Sequence, residues 1–308
     1  MPFDADGSIH TLFLNSMWGA YPDLDPTTCP VPFQVSTDVA DLDDADVVVV
    51  HLPTVGPIGT LPKRPGQAWV AHSMESDVTA PELCDARLMG QFDLEVSYRR
   101  SADVWTPYVT RSDLDDLLSA PQRKTETCPV AHFQSNPYDR SGRNYWCLRL
   151  MRGIGVASYG TVFPTTRAAG TIGTRDQRLA TSARHKFTLA FENSVAVDYV
   201  TNKLFEVWIA GSVPVYLGAP NVSEFAPSLH SYIDVADFDS PDELARYLNH
   251  LDEHEDEYEA YLEWKRGGPD ARFLELLATI PDRPWCRMVE LIHTGLSAVP
   301  LTQRPSIR

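Results

Sequence analysis

Several residues of this sequence have the type and spacing to take up a proton or to bind an anion. Glu75 follows an apolar stretch, residues 67–71, and stands just before Ser76 and Asp77, so its carboxylate suits either capping the next turn at the surface or projecting from the strand end as a general base. Arg143 and Lys203 each open a stretch with apolar residues at helical spacing. Free backbone N–H groups and the helix dipole favour an anion at such a start, and Arg adds a two-pronged donor where Lys adds a point charge; each also suits a plain solvated helix residue. Ser135 and Asn136 form a polar turn that suits neutral hydrogen bonds to the same anion, or a plain turn. Glu192 and Asn193 break an apolar run. Glu192 suits either orienting a ligand hydroxyl or capping its own loop, and Tyr199 either touches a ligand or fills the core.

The elements that position these residues are clearest over residues 185–221. Residues 186–191 alternate as a buried strand does and end in the polar turn Glu192-Asn193-Ser194. From Thr201 the residues Leu204, Phe205, Trp208 and Ile209 return at helical spacing, and Gly211 closes that helix. Residues 212–217 form a second strand, stopped by Gly218 and Pro220. A strand, polar loop, helix and strand in this order place a ligand at the carboxyl end of a parallel sheet. Asn193, Tyr199 and Lys203 fall on that rim.

The rest of the chain repeats the pattern. Residues 47–52, 67–71, 92–98, 129–133 and 154–159 predict further strands, and 141–152, 241–251 and 254–265 predict helices. Ser240 caps the second of these, with Pro241 in its first turn and Glu243 completing a capping box. The polar stretch 113–127 marks a boundary, giving α/β domains over 1–120 and 121–308.

A formal charge of −16 opposes general nucleic-acid binding, which needs a basic face. No apolar run is long enough for a membrane span, and residues 1–20 lack the pattern of a signal peptide. Five scattered cysteines without CxxC spacing predict reduced, packed thiols and a cytoplasmic location, or else a soluble form trimmed of a membrane anchor. No metal site is expected. The acidic run 252–257 reads as a solvated helix face, and no D-x-D motif stands at a predicted strand end.

Residues 186–221 resemble the signature of the family 10 glycosyltransferases, the α-1,3/4-fucosyltransferases. Lys186-Phe187, residues 191–194, residues 198–201, Lys203-Leu204 and residues 210–221 match it almost throughout. Residues 65–70, 74–76 and 97–104 resemble the family's N-terminal landmarks, and Ser135-Asn136 followed by Arg143 its phosphate-binding segment. Two departures stand out: Asn202 replaces the family's Glu, and Asp77 its usual proline.

The resemblance implies a GT-B fold, two Rossmann-like domains facing each other across a cleft, with the acceptor on the N-terminal domain and GDP-β-L-fucose on the C-terminal one. It implies inverting transfer of fucose to a glycan hydroxyl, the 3-hydroxyl of N-acetylglucosamine, with Glu75 as base and no cofactor beyond the donor substrate. Ser135, Asn136, Arg143, Tyr159, His185, Glu192, Asn193, Tyr199, Asn202 and Lys203 would hold the donor, His185 by stacking on the guanine and Tyr159-Gly160 through the backbone. Two alternatives stay open: another nucleotide sugar as donor, or donor binding without turnover.

Overall fold

The computed structural model describes residues 8–14, 25–56, 59–168 and 170–295. The chain divides into two units: residues 1–107 together with 281–308, and residues 108–280.

The first unit is built on six parallel strands: β1 (Ile9–Leu14), β2 (Phe33–Ser36), β3 (Val47–His51), β4 (Ala68–Ser73), β5 (Leu94–Ser97) and β6 (Val104–Trp105), in the order β2-β1-β3-β4-β5-β6. Every residue of β3 and β4 is buried, as expected for central strands covered on both faces. The β-branched run of β3 suits that place.

The second unit has five parallel strands: β7 (Val130–His132), β8 (Val156–Ser158), β9 (Phe187–Phe191), β10 (Val213–Leu217) and β11 (Ile233–Asp234), in the order β11-β10-β9-β7-β8. In both sheets the unit's first strand lies between its second and third. This is a doubly wound order, whose switch point falls between β1 and β3 in one unit and between β7 and β9 in the other. The second core joins Phe187, Leu189, Val213 and Val215 of the sheet to Cys147 and Leu150, and to Leu244, Leu248 and Tyr258 from later helices.

Two expectations need correction. The expected second domain, 121–308, includes a segment that belongs to the first unit. The helix Pro284–His293 packs Met288, Val289, Leu291 and Ile292 into the same core as Val47, Val49, Val70 and Val96. Burying four such side chains is worth about 1.5–3 kcal/mol each, which is what recruits the segment. The cysteines are also not all reduced, because Cys29 and Cys286 form a disulfide within the first unit. Cys84, Cys128 and Cys147 are free thiols. A disulfide of this kind persists in oxidising compartments, so the thiols no longer argue for the cytoplasm. Among the described residues, no helix is long and apolar enough to cross a membrane.

The helix expected over 254–265 is two shorter ones, Glu255–Ala260 and Glu263–Gly267, separated at Tyr261 and Leu262. Tyr261 is buried there, stacked on His230 at 3.9 Å and bonded through its hydroxyl to that of Tyr247 at 2.6 Å.

Candidate active site

The switch point between β7 and β9 gathers most of the expected donor-site residues. β9 ends at Phe191, and Glu192 follows with its side chain fully buried. An unpaired carboxylate there would cost several kcal/mol, and three bonds prevent that. Oε1 accepts the Thr201 N–H at 2.8 Å, while Oε2 accepts the Thr201 hydroxyl and the Lys203 ammonium, each at 2.9 Å. Thr201 is the N-cap of the helix Asn202–Ala210, so Glu192 ties the end of β9 to the start of that helix. Of the two roles open to Glu192, capping its own loop is the one the structure displays. Lys203 keeps a side chain about 30% exposed, and its ammonium also donates to the Thr201 hydroxyl at 3.0 Å.

Asp198 precedes that helix with φ +65°. Asn221 holds it there, accepting its N–H at 3.0 Å and donating to its carboxylate at 2.9 Å. Strained residues of this sort collect at functional loops. Tyr199 is buried, with its ring 6.4 Å from that of Tyr108 in an edge contact. Asn193 is buried too; its carbonyl accepts the Arg140 N–H at 2.7 Å, and its side-chain oxygen accepts the Ser194 hydroxyl.

On the β7 side, Ser135 and Asn136 are exposed. Asn136 spends its side-chain oxygen on the Tyr138 N–H in a local turn. Arg143 differs from expectation. Its side chain is 3% exposed, and its guanidinium donates to the carbonyls of Asn136 at 2.8 Å, Tyr138 at 2.7 Å and Phe191 at 3.4 Å. It therefore joins the loop after β7 to the end of β9 instead of facing outward. The start of its helix, Arg143–Gly153, is also occupied by a protein anion: the Asp139 carboxylate accepts the N–H groups of Ser141, Gly142, Arg143 and Asn144 at 2.8–3.1 Å. Burial raises the Asp139 carboxyl, but these four bonds outweigh it and hold the group below its usual range.

Tyr159 and His185 meet each other. Nδ1 of His185 donates to the Cys128 carbonyl at 2.8 Å, so Nε2 accepts the Tyr159 hydroxyl at 2.9 Å. Burial lowers the His185 pKa and keeps the ring neutral. With His185 fully buried and Tyr159 stacked on Phe133 at 5.3 Å, neither ring is free to stack on a base. Asn202 donates to Glu206 at 3.0 Å, and Glu206 accepts two bonds from Arg178 at 2.7 and 2.8 Å. A carboxylate at position 202 would face Glu206 one helical turn away.

Glu75 lies in the first unit, two residues beyond β4, and is half-buried. Its N–H donates to the Ser73 hydroxyl at 3.1 Å, which in turn donates to the Glu75 carbonyl at 2.9 Å. Asp77 uses the N–H that a proline would lack, donating to the Tyr98 hydroxyl at 3.1 Å, and pairs with Arg99 at 2.8 Å. This departure therefore adds two bonds to the turn that carries Glu75.

Sequence reasoning did not single out Thr201, Asp139, Arg178 or Gln134. Thr201 and Asp139 carry a legible signal, since each is a polar residue just before a helix. Arg178 carries none, and Gln134 only its place in the polar turn that ends the predicted strand 129–133.

Two doubly wound units, the second with rim residues at its switch point, are those of a GT-B glycosyltransferase fold. Crystal structures of an α1,3-fucosyltransferase share it: the GDP complex at TM-score 0.61 and 16% identity, over 95% of this chain and 92% of that one, and the GDP-fucose complex at 0.59 and 16%, over 97% and 92%. Residues 121–300 match "Glycosyltransferase family 10 (fucosyltransferase) C-term", and residues 13–109 match "Fucosyltransferase, N-terminal". The chain belongs to glycosyltransferase family 10. It is 30% identical over 269 residues to 4-galactosyl-N-acetylglucosaminide 3-alpha-L-fucosyltransferase 9 of Bos taurus, covering 83% of this chain and 72% of that protein. It is 33% identical over 240 residues to a putative fucosyltransferase-like protein of Arabidopsis thaliana, covering 76% and 45%.

Proposed function

We propose that the protein transfers L-fucose from GDP-β-L-fucose, with inversion, to the 3-hydroxyl of N-acetylglucosamine in a glycan acceptor. The observation that carries this is the buried Glu192–Thr201–Lys203 cluster at the switch point of the second sheet, which holds a partly exposed cation at a helix start. The names of the related proteins support the sugar and the linkage.

In this reading the second unit takes the donor and the first the acceptor. The acceptor oxygen forms a bond to the anomeric carbon as the bond from that carbon to the β-phosphate oxygen breaks. The hydroxyl proton goes to Glu75, and the charge left on GDP is met by Lys203. With that charge met by the protein, the scheme requires no metal. The Cys29–Cys286 pair favours an oxidising compartment over the cytoplasm.

The test is GDP release from GDP-fucose with an N-acetyllactosamine acceptor, beside thermal unfolding with GDP, UDP, ADP and CMP. GDP alone should stabilise the fold, by about 2.7 kcal/mol at a hundred times its Kd. Glu75→Gln should keep GDP binding and lose turnover by about 10²–10⁴-fold. Wild-type turnover in that variant would remove Glu75 as the base, and stabilisation by UDP in place of GDP would point to another donor.

A further inference from the structure

A cavity of about 480 Å³ opens at the amino edge of the second sheet, with Arg123, Lys124, Lys186, Glu255, Glu259 and Arg266 in its wall. That volume is in the range of small-molecule pockets. Lys186 precedes β9 and Glu192 follows it, so the two stand about 20 Å apart along the strand, and the cavity is no part of the Glu192–Lys203 cluster. The charges of the wall do not balance. Lys186 pairs with Asp252 at 3.2 Å and Glu255 at 2.8 Å, and Arg266 pairs with Glu259, so each carboxylate of the wall already has a cation. Arg123 and Lys124 are left without an ion pair among the described residues. Lys265, only 7% exposed, reaches the same place: its Cε lies 3.7 Å from the position a Cβ on Gly211 would take, and Lys124 donates to the Gly211 carbonyl at 2.6 Å. The other partners of the two ammonium groups are carbonyls too, Ala183 for Lys124 at 3.0 Å, and Leu117 and Ser119 for Lys265 at 2.7 and 3.1 Å. Carbonyls at helix ends satisfy N–H groups but supply only partial negative charge. Burial lowers both lysines to about 8, with repulsion from Lys124 adding to it in Lys265, and Glu259 only partly opposing it in Lys124. A chain of net charge −16 thus gathers three cations without a carboxylate partner at one cavity.

We propose that this cavity binds a phosphate or sulfate group, free or carried by a small molecule, between the Arg123 guanidinium and the Lys124 ammonium. A tetrahedral oxyanion takes two parallel bonds from a guanidinium and a third from an ammonium, and it supplies the full negative charge that the carbonyls lack. The site is separate from the donor cluster and does not depend on which sugar the protein transfers.

Calorimetry with sulfate and with glucose 6-phosphate, at fixed ionic strength, tests this in the wild type, Arg123→Ala, Lys124→Met and Lys203→Met. Sulfate does not titrate near pH 8, so any proton taken up on binding, read from the dependence of the heat on the buffer, goes to the protein. A bound anion favours the charged form of Lys124 and Lys265 and raises both from about 8. Binding should therefore take up protons at pH 8 and none at pH 6, where both are already charged. Arg123 is exposed, so Arg123→Ala leaves the fold intact; it should weaken binding about tenfold, the loss of one charge-assisted contact. Lys124→Met should weaken binding at least as much and reduce the proton uptake, and Arg123→Ala decides alone if that variant does not fold. Lys203→Met should bind both probes as the wild type does. Equal affinity for the two probes makes the free oxyanion the ligand, and tighter binding of glucose 6-phosphate makes it an ester whose organic part fills the cavity. The proposal is overturned if neither probe binds, if binding ignores Arg123→Ala, or if it takes up no proton at pH 8. Loss in Lys203→Met with none in Arg123→Ala also overturns it, since the anion then sits at the donor cluster.

Discussion

Lys203 serves two purposes that a single substitution confounds. Removing it takes away a partly exposed lysine and also the ion-pair partner of the buried Glu192, leaving that carboxylate only the more distant Arg143 guanidinium as a counter-charge. Lys203→Met should therefore weaken GDP binding and lower stability by about 1–3 kcal/mol, the cost of an orphaned buried group, toward the lower end because the lysine is partly solvated. Adding Glu192→Gln should recover most of the stability, since a neutral amide keeps an acceptor for Thr201, while GDP affinity stays low. Urea denaturation and calorimetry on the two single variants and the double variant test this. Independent losses in the double variant would mean that the pair is not coupled.

Among the elements, the helix Arg143–Gly153 depends on one carboxylate for its amino end. The Asp139 pKa is depressed in the fold, so its contribution is fully present above the unfolded value, about 3.9, and is lost as pH falls through the lower folded value. Melting temperatures between about pH 2 and pH 6 should thus fall more steeply in the wild type than in Asp139→Asn. At neutral pH the variant should already be less stable by about 1 kcal/mol, a helix-cap loss. Parallel acid limbs would show that the cap is not what titrates.

The strands were the most legible elements. β3, β9 and β10 are dense apolar runs with Gly, Pro or polar turns at their ends, a pattern that only a buried strand satisfies. β2 went unread because it is a four-residue edge strand with one fully buried residue, and β11 because it is only two residues long. The rim position of Glu192, Asn193 and Lys203 was legible for the same reason as β9. The direction of each side chain was not. Arg143 turns inward to three carbonyls contributed by Asn136, Tyr138 and Phe191, the last 48 residues away in sequence. His185 finds Tyr159 across the ends of two strands. Partners at that separation leave no local trace in composition or spacing.

At the scale of the molecule, the Cys29–Cys286 bond joins residues 257 positions apart. No spacing rule reveals such a pair, because pairing depends on where the chain returns in space. In the chain-entropy account a loop of this length is worth about 5.5 kcal/mol against the unfolded state. Arg283 adds bonds to the carbonyls of Asp25 and Thr28 at 2.6 and 3.1 Å, so the closure is not only covalent. Reducing the protein, or changing Cys286 to Ser, should cost about 2–5 kcal/mol in urea denaturation. The variant should then be indifferent to reductant. A wild type equally stable with and without reductant would show that the non-covalent packing of the final helix suffices.

The return of residues 281–308 to the first unit also orders events on the ribosome. The unit that emerges first is the one completed last, because Met288, Val289, Leu291 and Ile292 leave the exit tunnel only after the whole of residues 108–280. Those intervening residues are contiguous and can fold as soon as they emerge, whereas the sheet of the first unit waits with part of its apolar face uncovered and Cys29 still a thiol. For that interval the nascent chain offers a hydrophobic surface to chaperones and Cys29, beside the free thiol of Cys84, to disulfide-forming catalysts, and quality control meets the half of the enzyme made earliest at its most vulnerable.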